Sequence, residues 1–284
     1  MHGKKLLIGY GSFNPQGTGQ LGLEHEQKEI GDGLILGAAR LKEVGIKPVN
    51  ATIKVVPALS VTGLAMLANM RPDILIISGH GAGKPGLCMA GEDGKLMMVP
   101  PQQITDILRG THIPFLALSC CFTFEHAEDM ERSFKTGARG LPRWVVGTSK
   151  AVSDPGAKAM ARTFASVCMT PGMTVARMFR QGHAAAEATA PGSKDIIRLY
   201  NLDPEKRDPD DVLVYETEDG TRSSGDPEIT LEFLGNEDDQ VIDSRSMDFS
   251  SLGQNEEESV QQVRHFTFPA QDRSRDVRGR FSRE

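Results

Sequence analysis

No stretch of this sequence approaches the roughly eighteen continuous apolar residues that a membrane-spanning helix requires, so no membrane partner is expected. The opening Met-His-Gly-Lys-Lys-Leu-Leu-Ile-Gly-Tyr carries an apolar run too short for a secretory signal. It reads as a first strand, and a cytoplasmic location is the expectation. Only four cysteines occur in 284 residues: Cys88, Cys120, Cys121 and Cys168. They show no framework spacing and two are adjacent, which excludes a disulfide-stapled scaffold and fits free thiols in a reducing compartment. Also missing is any basic run interleaved with aromatic residues, so direct nucleic-acid binding is not expected. Hydrophobic residues make up 39% of the chain, low enough to expect that part of it lies outside a packed core.

Two glycine-rich stretches fall short of the motifs they suggest. Gly9 and Gly11 are followed by Asn14 where a dinucleotide fingerprint needs its third glycine. Gly83-Lys84 sits in a glycine-rich turn, but Ser78 stands where a phosphate loop needs its first glycine, and Pro85 where it needs the magnesium-binding Ser or Thr. A zinc site from His80, Cys120, Cys121 and His112 or His126 lacks the two-residue spacer between its cysteines. No cofactor and no metal are expected.

Charge divides the chain. Residues 201–284 hold 22 acidic and 10 basic side chains, whereas residues 1–200 hold 16 and 22. Such a split gives a mildly basic body of residues 1–200 and an acidic extension of residues 201–284. The extension is either a solvated, disordered tail or a regulatory segment that lies on the body or on a basic partner. Within it, residues 212–216 and 228–234 have strand texture, whereas residues 235–284 read as poorly ordered.

Elsewhere short apolar runs alternate with amphipathic segments. Strands are expected at 5–10, 51–56, 74–80, 115–119, 144–148 and 196–200. Helices are expected at 24–44, 60–70, 100–109, 124–135, 154–168 and 174–189, and a small hairpin over 87–99 around Gly-Glu-Asp-Gly. This β-α alternation predicts an α/β fold, a mostly parallel central sheet flanked by helices.

Two of the strands carry chemistry. The stretch Ile74–Gly81 ends in His80-Gly81, and the strand at 115–119 is followed by Cys120-Cys121-Phe122-Thr123. In parallel sheets the chemistry sits beyond the carboxyl ends of the strands. A histidine leaving one strand and a cysteine leaving its neighbour would meet across about one strand spacing, ~5 Å. A thiol beside an imidazole is the minimum machinery of a cysteine nucleophile.

An apolar strand ending in His-Gly, then a second ending in Leu-Ser-Cys-Cys-Phe-Thr, resembles the caspase-like cysteine peptidases. Within that group it is most similar to the CHAT-domain, separase-related bacterial branch. The likeness covers roughly residues 5–200 and includes Val145 to Asp154. It implies a caspase-like three-layer sandwich, with His80 and Cys121 as the catalytic dyad and the backbone N–H groups of Gly81 and Cys121 as oxyanion donors. No third catalytic side chain is implied, since a backbone carbonyl usually orients the imidazole in such families. Cys120, Cys88 and Cys168 read as packing residues.

The same likeness bears on substrate binding. Relatives that cleave after arginine or lysine often carry an acid two positions before the cysteine; here that position is Ser119. Thr148, Ser149 and Lys150 fall where an extended substrate would pair as an added strand. Asp154 has two readings, an acidic pocket residue or the N-cap of the helix beginning at Pro155. The implied function is limited proteolysis of a protein substrate in a regulated bacterial defence or cell-death pathway, with an activating protease or regulatory protein as a further partner. The alternative is a catalytically silent scaffold of the same fold.

Overall fold

Successive side chains of a strand point to opposite faces, so a run such as Ile74-Leu75-Ile76-Ile77 needs cover on both sides. The computed structural model, which describes residues 5–14, 21–91, 95–203, 229–234 and 263–266, supplies that cover. Strands β1 (Leu6–Phe13), β2 (Ala51–Val56), β3 (Ile74–Gly79), β6 (Phe115–Cys120), β7 (Trp144–Thr148), β8 (Ile197–Asn201), β9 (Ile229–Phe233) and β10 (Val263–Phe266) form one sheet. Its order is β10-β9-β2-β1-β3-β6-β7-β8. All neighbours are parallel except the outer pairs β7–β8 and β9–β10. The hairpin of β4 (Leu87–Ala90) and β5 (Leu96–Val99) stands apart from it.

Alternate residues feed two cores. Ile74 and Ile76, Phe115 and Ala117, and Trp144 and Val146 pack with α1 (Leu23–Glu43), α5 (Asp154–Cys168) and α6 (Val175–Thr189). Leu75 and Ile77, Leu116 and Leu118, and Val145 pack on the other face with α2 (Val61–Asn69), α3 (Pro101–Leu108) and α4 (Phe124–Lys135). This is the helix-flanked, mostly parallel α/β sheet that the sequence predicts. Helix α1 lies close on α5 because Gly33 and Gly37 face the carbonyl oxygens of Arg162 and Ser166, where any side chain would collide. That approach sets the height of α1 over the sheet.

Two boundaries differ from expectation. β1 runs on to Phe13, because Gly11, Ser12 and Phe13 pair with Ile77, Ser78 and Gly79 of β3 instead of entering a loop. The strand expected at 228–234 forms β9, which joins the main sheet parallel to β2, with Lys54 pairing Glu232. The strand expected at 212–216 and, apart from 263–266, the stretch 235–284 lie outside the described residues. Among the described residues no helix is long and apolar enough to cross a membrane.

Candidate active site

The register of β3 on β6 places the two reactive side chains. Gly79 is paired with Cys120, so the next residues, His80 and Cys121, leave neighbouring parallel strands at the same level. Both are half-buried. A methyl built on Gly81 would collide with the Cys121 carbonyl oxygen, so the two chains touch backbone to backbone just beyond the sheet. The β4–β5 hairpin braces the histidine side: Cys88 N–H donates to the His80 carbonyl at 2.9 Å, and Gly81 bridges Leu87. Phe122 follows the cysteine with φ of 54°, a region in which a large side chain is strained. It is 41% exposed, and its N–H donates to the Lys150 carbonyl at 3.3 Å.

The β7 end is used differently from the expected added strand. Thr148 is buried, and its Oγ1 donates to the Cys120 carbonyl at 2.7 Å while its N–H donates to Thr123 Oγ1 at 2.9 Å. It therefore fixes the turn that presents Cys121 and has no surface to offer a substrate. Ser149 N–H and Oγ both donate to the Ile196 carbonyl, at 3.0 and 3.3 Å. With Lys150 accepting from Phe122, both edges of this short stretch are already engaged, although the Lys150 side chain is exposed.

Asp154 is not the N-cap; Ser153 is, its Oγ accepting from Gly156 N–H at 3.3 Å. This frees Asp154 to pair with Lys158 at 2.7 Å and to line a narrow cleft together with Cys121 and Ser119. Of the substrate-side residues named from the sequence, Ser119 and Asp154 line one cleft with Cys121, and Thr148 is turned inward.

One residue at the histidine was missed. His80 Nε2 lies 3.2 Å from Asn14 Oδ1, and Asn14 Nδ2 donates to the Leu21 carbonyl at 3.4 Å. Because an amide oxygen can only accept, Nε2 is the nitrogen that donates in this contact. The signal was present in the sequence only as an amide closing a glycine-rich strand.

Glu26, in the first turn of α1, was missed as well. It is only 2% exposed, and its carboxylate accepts from Ser78 Oγ at 2.6 Å. Burial pushes its pKa up to about 7, against the opposing pull of the Ser78 and Ser119 hydroxyls. Burial, reinforced by the Glu26 charge, also raises the pKa of the Tyr10 hydroxyl and the Cys120 thiol. Cys120 Sγ faces the Ile77 carbonyl at 3.4 Å, and burial pushes Cys168 up to about 12, so both are inert packing thiols. Burial raises the half-buried Cys88 too. Among the described residues no group of three or more His, Cys, Asp or Glu is placed to hold a metal ion.

No family model matches the chain, and no curated protein matches it. Solved structures do. The chain is similar to the Arg-specific cysteine proteinase gingipain R (RGPB), with a TM-score of 0.46 and 12% identity over 74% of this chain. It is likewise similar to a chain of the complex of Porphyromonas gingivalis RgpB pro- and mature domains, with a TM-score of 0.47 at the same identity and coverage. It spans about half of either, 48% of that chain's length. At such scores the likeness is one of chain path, and the chemistry rests on the residues themselves.

Those residues bring a thiol, an imidazole with an amide at Nε2, and a glycine backbone to the same end of the sheet. The arrangement has the parts needed for attack on a carbonyl carbon and for proton delivery to a leaving group.

Proposed function

We propose that the chain is a caspase-like cysteine endopeptidase in which Cys121 is the nucleophile and His80 its acid–base partner. The observation that carries this is the pairing of Gly79 with Cys120, from which His80 and Cys121 emerge side by side. His80 takes the thiol proton, and the Cys121 sulfur attacks the peptide carbonyl carbon. As the tetrahedral intermediate collapses, the C–N bond breaks and His80 returns the proton to the departing amine. Water, deprotonated by His80, then hydrolyses the thioester. The backbone N–H groups of Gly81 and Cys121 are the proposed oxyanion donors, and glycine at 81 permits the close approach that places them. Asn14 is the positioning residue that holds the imidazole.

On its His-Gly and Leu-Ser-Cys-Cys-Phe-Thr motifs the CHAT-domain branch is the proposed affiliation. Limited proteolysis of a protein substrate in a bacterial defence or cell-death pathway is the proposed role. Cleavage profiling against a diverse peptide library, wild type beside Cys121→Ala, tests the activity. Cleavage by the wild type alone supports it; identical profiles, or none from either protein, remove it.

A further inference from the structure

The hairpin that braces the histidine has an outer edge with which no described residue pairs. Gly91 N–H donates to the Lys95 carbonyl at 2.7 Å, and Leu87, Cys88, Met89 and Ala90 stand opposite Val99, Met98, Met97 and Leu96. Bonded and unbonded pairs alternate along an antiparallel ladder. Lys95, Met97 and Val99 therefore turn their N–H and C=O groups toward β4, and Leu96 and Met98 turn theirs away. The same alternation on β4 sends Cys88 N–H to the His80 carbonyl and Ala90 N–H to the Leu59 carbonyl, at 2.9 and 2.8 Å. On β5 the outward N–H and C=O groups of Leu96 and Met98 meet no partner among the described residues. The side chains on that edge are apolar and open. Leu96 is 47% exposed, and Met98 and Cys88 are half-buried with their sulfurs 3.6 Å apart. Leu87, Met89, Met97 and Val99 point the other way, into the core. Lys95 and Pro100 flank the free groups and confine the edge to Leu96 and Met98.

We propose that an extended segment of the protein substrate docks on this edge of β5 as an added strand, at a distance from the bond that is cut. The inference rests on the peptidase reading above and adds how a protein substrate is recognised. Two observations favour a substrate over another occupant. The β7 end, where the sequence predicts an added strand, already commits its backbone groups to Phe122 and Ile196. The β5 edge, by contrast, belongs to the same ladder as the histidine. Gly81 bridges Leu87, so His80, Cys88 and Met98 stand opposite one another on successive strands. A strand laid antiparallel on β5 can bond both N–H and both C=O groups of Leu96 and Met98, and it sets its own alternate side chains beside theirs. The segment recognised is therefore extended, with apolar residues at alternate positions. It lies three strand spacings from His80, ~15 Å, which is roughly four to five residues of extended chain. A tetrapeptide held at Cys121 falls short of it.

The test compares casein, an unfolded protein, with fluorogenic tetrapeptides as substrates of the full chain. Leu96→Pro and Met98→Pro each remove one outward N–H, at positions where an edge strand tolerates proline. Met98→Leu keeps both the N–H and an apolar side chain. Each proline variant is expected to lower the ratio of casein to tetrapeptide kcat/KM about fivefold, as the loss of one backbone hydrogen bond requires, and Met98→Leu to keep the wild-type ratio. An unchanged ratio in folded proline variants overturns the docking and leaves the peptidase intact. No cleavage of either substrate by the wild type overturns the peptidase reading and this inference with it. If the proline variants do not fold, residue-resolved amide exchange on Cys121→Ala decides the matter. There the Leu96 and Met98 amides are expected to exchange fast in the free chain and about tenfold or more slower with saturating casein. Slow exchange in the free chain at every concentration marks a segment of the chain itself on the edge, and slowing that grows with protein concentration marks a second copy. Either result, or exchange that casein leaves unchanged, overturns the proposal.

Discussion

Replacing Glu26 by glutamine should stabilise the protein at neutral and alkaline pH and do little in acid. In the native chain the carboxyl's pKa stands at about 7, against an ordinary value of 4.5, because burial disfavours its charge. Between those values the folded state holds a proton that the unfolded state has lost. Stability therefore falls as pH rises from 4.5 to about 7, and the deficit is complete above that. A shift of that size, at about 1.4 kcal/mol per unit, is worth roughly 3 kcal/mol. Glutamine keeps the shape and can still accept from Ser78, so most of that amount should be recovered at pH 8 and little at pH 4.5. Urea unfolding of Cys121→Ala and of the Glu26→Gln, Cys121→Ala double variant at both pH values measures it without self-cleavage. A gain of the same size at both pH values, or a loss at pH 8, would refute the reasoning. The groups facing Glu26 are Ser78, Ser119, Tyr10, Cys120, Asp154 and Lys158, and of these Lys158 alone works toward ionisation by its charge. A residue that destabilises the fold while lining a cleft with Cys121 fits a role at the site better than one in packing.

Three further outcomes are expected. Asn14→Ala should lower kcat by about tenfold or more with little change in KM, whereas Asn14→Asp, which still accepts from Nε2, should retain most activity; pH–rate profiles of the two separate positioning from mere packing. Gly81→Ala places a methyl against the Cys121 carbonyl oxygen, so peptidase activity should be lost at a stability cost of only about 1–3 kcal/mol, read from a thermal melt beside an activity assay. His126 is fully buried with neither ring nitrogen bonded, and burial lowers its pKa to about 4 despite the nearby Asp129. Since its unfolded value is 6.5, the wild type should lose roughly 3 kcal/mol relative to His126→Leu as pH falls from 6.5 to about 4, and equal pH dependence of the two proteins would contradict this.

Trp144–Thr148 was legible because a doubly covered strand is almost wholly apolar, and Ala51–Val56 because its residues alternate and are β-branched; both stand where their sequences put them. Helices closed by strong local signals were equally clear, as with Ser60, whose Oγ accepts from Gly63 N–H at 3.0 Å. The end of β1 was not legible, since Gly11-Ser12-Phe13 has loop composition and is held straight only by pairing with β3. His80 and Cys121 could be named because each follows an apolar run of strand length, and the resemblance carried by Leu-Ser-Cys-Cys-Phe-Thr picks Cys121 over Cys120; the register that sets them side by side came only with the fold. Asn14 and Glu26 could not, because they reach the site from β1 and α1 through tertiary packing. Glu26 in particular looks like an ordinary first-turn acid, and only the seating of α1 over the sheet, where it meets Ser78, shows that it is buried.

The most direct test of the thiol–imidazole couple is the rate of Cys121 alkylation by iodoacetamide at pH 6, followed by peptide mapping, with half-buried Cys88 as an internal reference. Cys121 should react much faster than Cys88 in the wild type, and His80→Ala should slow Cys121 by about tenfold or more while leaving Cys88 unchanged. Equal Cys121 rates in the wild type and His80→Ala would contradict the couple, and with it the proposed peptidase.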